Sequence, residues 1–374
     1  MKTYSSAQVA FEGHPDRVCD IICDAILDEY LKEDKNSSVD IGAMLMKNRL
    51  ILGGEVSTSA KIDIAEVARR TLKTIGYTDE DFGLDAYKVD IETIFKKQSQ
   101  DIARGVKSDD IQDQGAGDTT TVYGFAINDS QNYMPTSFEI AWRIATRFRE
   151  VFLSGIIEGI GPDGKVQVIM EYEDLKAVKI EAIIIAINHL PEVDSEWLKM
   201  EIVENVVNVV CCGYTCENTK ILVNTAGRFL IGGPMAELGM SGTKMEMYTY
   251  GGFANFGGNT FSGKDPHKID RTGSLMARKV AKYIVEEGMA EKCEVMVSYA
   301  IGLVEPVILD IDTFETSNVD ESEILKMVLE EFSFSTSDII KNLKLLKPIY
   351  EDLSKNGHFG RTGLRWEENG IMSS

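Results

Sequence analysis

The sequence predicts an α+β protein of three topologically similar domains, each a small sheet with helices on one face. Two observations carry this prediction. A helix, two alternating apolar strands and a second helix recur in that order three times along 374 residues, and each second helix begins at an aspartate. Length agrees: the chain is too long for one ordinary core, and three units of about 100–130 residues each have the usual size of a domain.

The first set is a helix over roughly 15–31, strands VDIGAMLM and RLILGGEVST, and a helix from Asp63. The second runs SFEIAWRIATRFREVF (137–152), KVQVIMEYED, VKIEAIIIAIN, then a helix from Asp194. The third runs RTGSLMARKVAKYIVEEG (271–288), CEVMVSYAIG, EPVILDIDTF, then a helix from Asp320. Asp63 with Glu66, and Asp320 with Glu323, read as capping boxes. An apolar hairpin between two helices implies an antiparallel or mixed sheet covered on one side. Residue identity between the sets is slight, so the repeat is one of pattern; chance alternation of elements is the alternative.

Composition excludes several functions. Thirty-nine Lys+Arg against sixty Asp+Glu leave a net charge of −21, which repels nucleic acid and anionic membrane. A phosphate site must then be a local basic cluster. No stretch is apolar enough to span a bilayer, and MKTYSSAQVA lacks the core of a signal peptide, so a cytoplasmic location is expected. Cys211-Cys212-x3-Cys216 has no second ligand pair at finger-like spacing. These cysteines, and Cys19 and Cys23, read as buried free thiols.

The first helix opens unusually. FEGHPDRVCDIICDAILDEYL (11–31) has helical apolar spacing from Val18, but Gly13, His14, Pro15, Asp16 and Arg17 crowd its start. Pro15 suits a first helical position; a helix start needs no histidine. Asp16, Asp20, Asp24 and Asp28 form a stripe of like charges that mildly opposes the helix. Asp20, Asp24 and Asp28 are expected to form a solvated face, so that Asp24→Ala should change neither rate nor stability.

Glycine-rich connectors lie between the sets. Residues 98–125 have few apolar anchors until Val122 and read as a long loop, a lid or a disordered segment, ending in Gly-Ala-Gly-Asp. Residues 224–244 and 250–271 are dense in glycine and carry Arg228, Lys244, Lys264, Lys268 and Arg271. Glycines let backbone approach an anion closely. Lys264 and Lys268, one turn apart, with Asp270, suit a polyphosphate and a divalent cation. GxxxxGK[ST] does not occur, because SGKD lacks the hydroxyl residue after its lysine. Solvated loop lysines without function are the bland alternative.

The motifs EGHPDR, GGE (53–55), QS-x-DI (98–102), GAGD (115–118), PDGK (162–165), GRF-x-IGGP (227–234), TYGG (249–252), FSGKDPHKIDR (261–271), VSYAIG (297–302) and GHFGR (357–361) occur in this order. In this the chain resembles the S-adenosylmethionine synthetases over nearly its whole length. The resemblance implies three pseudo-threefold-related domains, here 1–101, 114–231 and 232–374, with a mobile active-site loop at 102–113. It implies active sites at a homodimer interface, in a dimer or a dimer of dimers. It also implies a reaction of ATP with L-methionine that displaces triphosphate, later cleaved to phosphate and diphosphate. Carried over residue by residue, His14 donates to the leaving oxygen or adjacent phosphate; Lys165, Lys244, Lys264 and Lys268 hold the triphosphate; Asp16 and Asp270 bind Mg2+. Asp163 meets ribose, and Phe229 beside Arg228 stacks on adenine. Glu55 and Gln98 hold the ends of methionine, with Asp118 and Lys268 nearby.

Some positions depart from the family pattern. Gly42 stands where the family carries a potassium-binding glutamate, which counts against a K+ requirement. Glu237, Thr243 and Tyr248 replace Asp, Arg and Asp, and loss of the arginine removes a bidentate fork from the phosphate cradle. Gln8, Arg17, Gln100, Asn259 and Thr260 also differ. A working adenosyltransferase is expected. The alternatives are use of another sulfur substrate, a weakened nucleotide-binding or partner subunit, or a polyphosphate hydrolase.

Overall fold

A computed structural model of the chain describes residues 2–97, 115–215 and 217–371. Three runs of strand, helix, hairpin and helix follow one another. The first comprises β1 (Lys2–Ala10), α1 (Pro15–Glu33), the hairpin β2 (Ser38–Met46)–β3 (Arg49–Ser57) and α2 (Ile64–Ile75); a two-residue ladder, β4 (Thr78–Asp79) with β5 (Leu84–Asp85), then leads to β6 (Asp90–Lys96). The second comprises β7 (Thr120–Ile127), α3 (Thr136–Ser154), β8 (Ile160–Glu173)–β9 (Lys176–His189), α4 (Ser195–Ile202) and β10 (Lys220–Val223). The third comprises β11 (Gly239–Met240), the one-turn helix α5 (Met245–Tyr248), α6 (Ile269–Glu286), β12 (Lys292–Tyr299)–β13 (Ile308–Asp312) and α7 (Glu321–Glu331), followed by α8 (Thr336–Leu343) and α9 (Tyr350–Asn356).

The lead strand of each run does not stay with its own hairpin. β1 lies antiparallel to β8, β7 to β12 and β11 to β2, so each run lends one strand to the next in a closed cycle. The sheets are β1-β8-β9-β10, β11-β2-β3-β6 and β13-β12-β7. Each takes one long helix on its inner face: α3 on the first, α1 on the second, α6 on the third. Alternation explains the burial. Val39, Ile41, Ala43 and Leu45 of β2 point to the core, whereas Gly42, Met44 and Met46 point out, as the two-residue side-chain period requires.

The helix starts read at Asp63 and Asp194 hold. Asp63 accepts from the Glu66 amide at 3.0 Å and Asp194 from the Trp197 amide at 2.9 Å. Asp320 caps α7 through the Ser322 amide, not through Glu323 as a capping box would have it; Glu321 instead turns back to the Thr313 amide at 2.7 Å. Cys19, Cys23 and Cys211 are buried free thiols, but Cys212 is exposed because the helix ends at Val210 and the chain turns outward. Cys216 lies outside the described residues.

The acidic stripe on α1 is buried, not solvated. Asp20 and Asp24 are 0% exposed and Asp28 5%. Each carboxylate receives backbone amides from a distant segment: Met240 on Asp16 and Gly242 on Asp20, both at 2.8 Å, and Gly263 on Asp24 at 2.9 Å. Tyr350 and Glu351 donate to Asp28. Asp24 also takes a bidentate pair from Arg271, at 2.8 and 3.0 Å, and a hydrogen bond from the Ser354 hydroxyl. Four carboxylates at helical spacing thus staple the C-terminal third of the chain along one helix. Gly239 permits the closest approach: a Cβ there would lie 2.4 Å from the Pro15 carbonyl oxygen.

Candidate active site

The expected site residues fall into two groups. The first gathers at the N-terminus of α1. His14 is the N-cap, and its Nδ1 accepts from the Asp16 amide at 3.3 Å, while Nε2 lies 2.9 Å from Glu237. Asp16 is held by the Met240 amide and by Lys244 Nζ at 2.7 Å. Burial alone would raise the Asp16 carboxyl, but the Lys244 and Met240 contacts outweigh it and hold the carboxyl below its ordinary value. Asp163 is buried at an irregular stretch of β8 and accepts from the Gly233 amide at 2.7 Å; burial pushes its carboxyl up. Lys165, two residues on, is exposed on the outer face of its sheet and shares a 60 Å³ cavity with Gln8, Thr243 and Lys244. Phe229 is half-buried and fixed through its backbone to His189 and Asn188; Arg228 is exposed, with its guanidinium on the Pro191 carbonyl.

The second group surrounds the start of α6. Lys264 Nζ lies 2.7 Å from Asp270 and 4.0 Å from Asp118. Asn259, one of the departures from the family pattern, donates to the other Asp270 oxygen at 2.8 Å. Lys268 is the N-cap residue of α6 and reaches Asp265 at 3.4 Å. Asp265 also takes the Val39 amide and the His267 amide and ring Nδ1, and the nearby Lys268 and His267 charges overcome its burial to hold its carboxyl well below the usual range. Glu55 lies on the outer face of its sheet, paired with Lys96 at 3.0 Å and opposite Asp40, whose backbone bridges to Lys264. Gln98 and the 102–113 loop lie outside the described residues.

Among the described residues, no hydrogen bond or ion pair joins the side chains of the two groups. The segments that carry them attach to α1 at Asp16 and at Asp24, eight residues and about 12 Å apart along the axis. Sequence reasoning missed Glu237 as a partner of His14 and Asp265 as the anchor of Lys268. The DPHK spacing carried a signal for the second, since an aspartate two residues before a histidine readily turns back on its own backbone.

The first group thus pairs Lys244 with Asp16 beside the Met240 amide, and the second pairs Lys264 with Asp270 and Lys268 with Asp265. Among the described residues, no cluster of three metal-ligating side chains occurs. One carboxylate at a time suits Mg2+, which is bound through one or two carboxylates plus substrate phosphates and water. Fold and site together define an α+β protein that presents lysines paired with carboxylates, an arrangement suited to an anionic ligand.

Comparison with known proteins gives the family. Models of the N-terminal, central and C-terminal domains of S-adenosylmethionine synthetase match residues 2–100, 113–229 and 231–368. The chain is 41% identical to the S-adenosylmethionine synthase of Finegoldia magna over 377 aligned residues, covering 98% of this chain and 96% of that protein. It is 42% identical to that of Mycoplasma capricolum (98% and 95% covered) and 40% identical to that of Clostridium tetani (98% and 96%). The chain belongs to the S-adenosylmethionine synthetase family.

Proposed function

We propose that this chain forms S-adenosylmethionine from ATP and L-methionine and releases phosphate and diphosphate. The observation that carries the reading is the pair of Lys–Asp contacts, Lys244 with Asp16 and Lys264 with Asp270, each at 2.7 Å. Before substrate arrives, each of these lysines is neutralised by a carboxylate. A triphosphate would give Lys244 and Lys264 phosphate oxygens in place of these carboxylates, and Asp16 and Asp270 would then be available to hold Mg2+.

The chemistry needs this and little more. A thioether sulfur is a neutral nucleophile that loses no proton, so no general base is required. The costly event is charge growing on the oxygen that leaves C5′. Fixed cations around that oxygen lower the barrier most, together with alignment of sulfur and C5′. His14 Nε2, now on Glu237, is the donor for the leaving oxygen or its neighbour, and Lys165 and Lys244 hold the same chain of phosphates. Lys264 and Lys268 hold its far part. Mg2+, held by Asp16 and Asp270, supplies charge neutralisation of the triphosphate when bound. Asp163 meets the ribose, Phe229 and Arg228 the base, and Glu55, Gln98 and Asp118 the methionine.

We take the two groups to complete one site across a dimer, a second copy supplying one of them. The outer face that carries Glu55 also exposes Met44 (37%), Met46 (50%), Met240 (44%) and Ile94 (60%). An apolar face of this kind between two half-sites suits an isologous homodimer. We further take 1–101, 114–231 and 232–374 as three units that exchange lead strands. The reaction is placed in the cytoplasm, in keeping with the free cysteines. No helix among the described residues is long and apolar enough to cross a membrane.

The test is direct. Pure protein is incubated with ATP, Mg2+ and methionine, with and without K+, and products are followed by mass spectrometry. Adenosylated sulfonium is the expected product; phosphate without sulfonium, or neither, contradicts the reading.

A further inference from the structure

One cavity is lined by none of the residues of either half-site. It measures about 790 Å³, within the range of small-molecule sites. It opens between α3, the 128–134 turn and the GHFGR segment, and it is bounded by the helix that covers the inner face of the β1-β8 sheet. Lys165 is on the opposite, outer face of that sheet. Phe138, Trp142, Phe359 and Tyr214 supply an apolar floor, and Arg143 and Arg361 line the rim.

Its charge pattern favours an anion. Arg143 is exposed and has no hydrogen bond or ion pair within the described residues. The acids that share the cavity are already engaged. Asp129 accepts from the Thr136 and Ala177 amides and from the Tyr172 hydroxyl, all between 2.8 and 2.9 Å. Glu139 takes Asn132 Nδ2 at 2.7 Å, and burial pushes its carboxyl up against the opposing pull of Asn132, Arg278 and Arg143. Arg361 is oriented by the Gly357 carbonyl and Asp352.

Trp142 connects this cavity to the first half-site by two contacts. Its indole N–H donates to the Met247 carbonyl at 2.9 Å, on the one-turn helix that follows Lys244. The Arg17 guanidinium sits over its ring, 4.7 Å from the centroid, and adjoins Asp16 in sequence. Both members of the Lys244–Asp16 pair therefore have a neighbour resting on Trp142.

We propose that this cavity is an effector site for a small anion with a flat apolar body, a carboxylate or a phosphate ester, and that Trp142 relays its occupancy to the Lys244–Asp16 pair. The guanidinium of Arg143 holds the anionic group, and the aromatic floor takes the body.

The test uses 8-anilinonaphthalene-1-sulfonate, an aromatic anion, as fluorescent probe on the full-length protein. One probe should bind per chain. Arg143→Ala should weaken binding by roughly tenfold or more, the worth of one charge-assisted contact, and Thr146→Trp, at the cavity rim, should block it. Displacement by benzoate assigns the site to carboxylates, and displacement by phenyl phosphate to phosphates. Probe binding that is equal in all three proteins, or displaced by neither anion, overturns the site. Saturating probe should change the rate of sulfonium formation in the wild type but not in Arg143→Ala, each compared with its own rate without probe. Stoichiometric binding with no change in wild-type rate overturns the relay.

Discussion

Lys264 Nζ stands 2.7 Å from Asp270, the same distance that separates Lys244 from Asp16. Two lysines and two carboxylates from different parts of the chain thus make the same contact at two places. In both, the partners are those that a magnesium–triphosphate would draw apart. Asp16→Asn and Asp270→Asn should each raise the Mg2+ concentration needed for half-maximal rate and lower the maximal rate by roughly tenfold or more. Rate against Mg2+ concentration, measured for each variant, checks this. An unchanged Mg2+ profile would exclude the carboxylate concerned from metal binding.

Asp24 does not belong to either half-site, yet its loss should be costly. Asp24→Ala leaves Arg271 buried without its bidentate partner and orphans the Gly263 amide. Breaking such a pair costs about 3–5 kcal/mol, and a large fall in melting temperature is expected. Asp24→Asn keeps an acceptor and should fall less. This reverses the expectation drawn from the sequence.

Asp20 and Asp28 give stability a pH dependence of definite sign. Burial pushes both carboxyls up, each to about 7. The folded state therefore holds these protons more tightly than the unfolded state. Their contribution is full below about pH 4, declines as pH rises toward 7 and is flat above it. The change per group is on the order of 4 kcal/mol. Asp20→Asn should remove its share of the slope, because an amide oxygen still accepts from the Gly242 amide. Denaturant unfolding at pH 4.5 and 7.5 reads the difference, and equal slopes in the two proteins would contradict it.

Gly42 makes potassium dependence a test of one residue. A Cβ at this position would meet Ser241 Oγ at 3.5 Å, an ordinary contact, so Gly42→Glu should fold. The wild-type rate should be the same in K+ and Na+ at equal ionic strength. Stimulation by K+ in the wild type would contradict that expectation.

Legibility in the sequence followed distance along the chain. The caps at Asp63, Asp194 and Asp320 were readable because their partners lie two or three residues away. The hairpins were readable because alternation is local. The cyclic exchange of β1, β7 and β11 was not, since nothing in SSAQVA says that its partner is a strand 160 residues on. The acidic stripe was misread for the same reason. Spacing at i, i+4 looks solvated until the amides of 240, 242, 263 and 350 are known to meet it. The site residues were named through the collinear motifs. Which lysine meets which aspartate came only with the fold.

The central claim is that each reaction site takes His14, Asp16 and Lys244 from one copy and Lys264, Lys268 and Asp270 from another. Mixed dimers test it most directly. His14→Ala should inactivate one half-site and Lys268→Met the other; Asp265 keeps the Val39 and His267 donors in the second variant. Each variant alone should form almost no sulfonium. Co-expressed with separate tags and purified as mixed dimers, they should regain roughly half the wild-type rate, because one of the two sites in each mixed dimer is then intact. Mixed dimers as inactive as either parent would contradict the shared site.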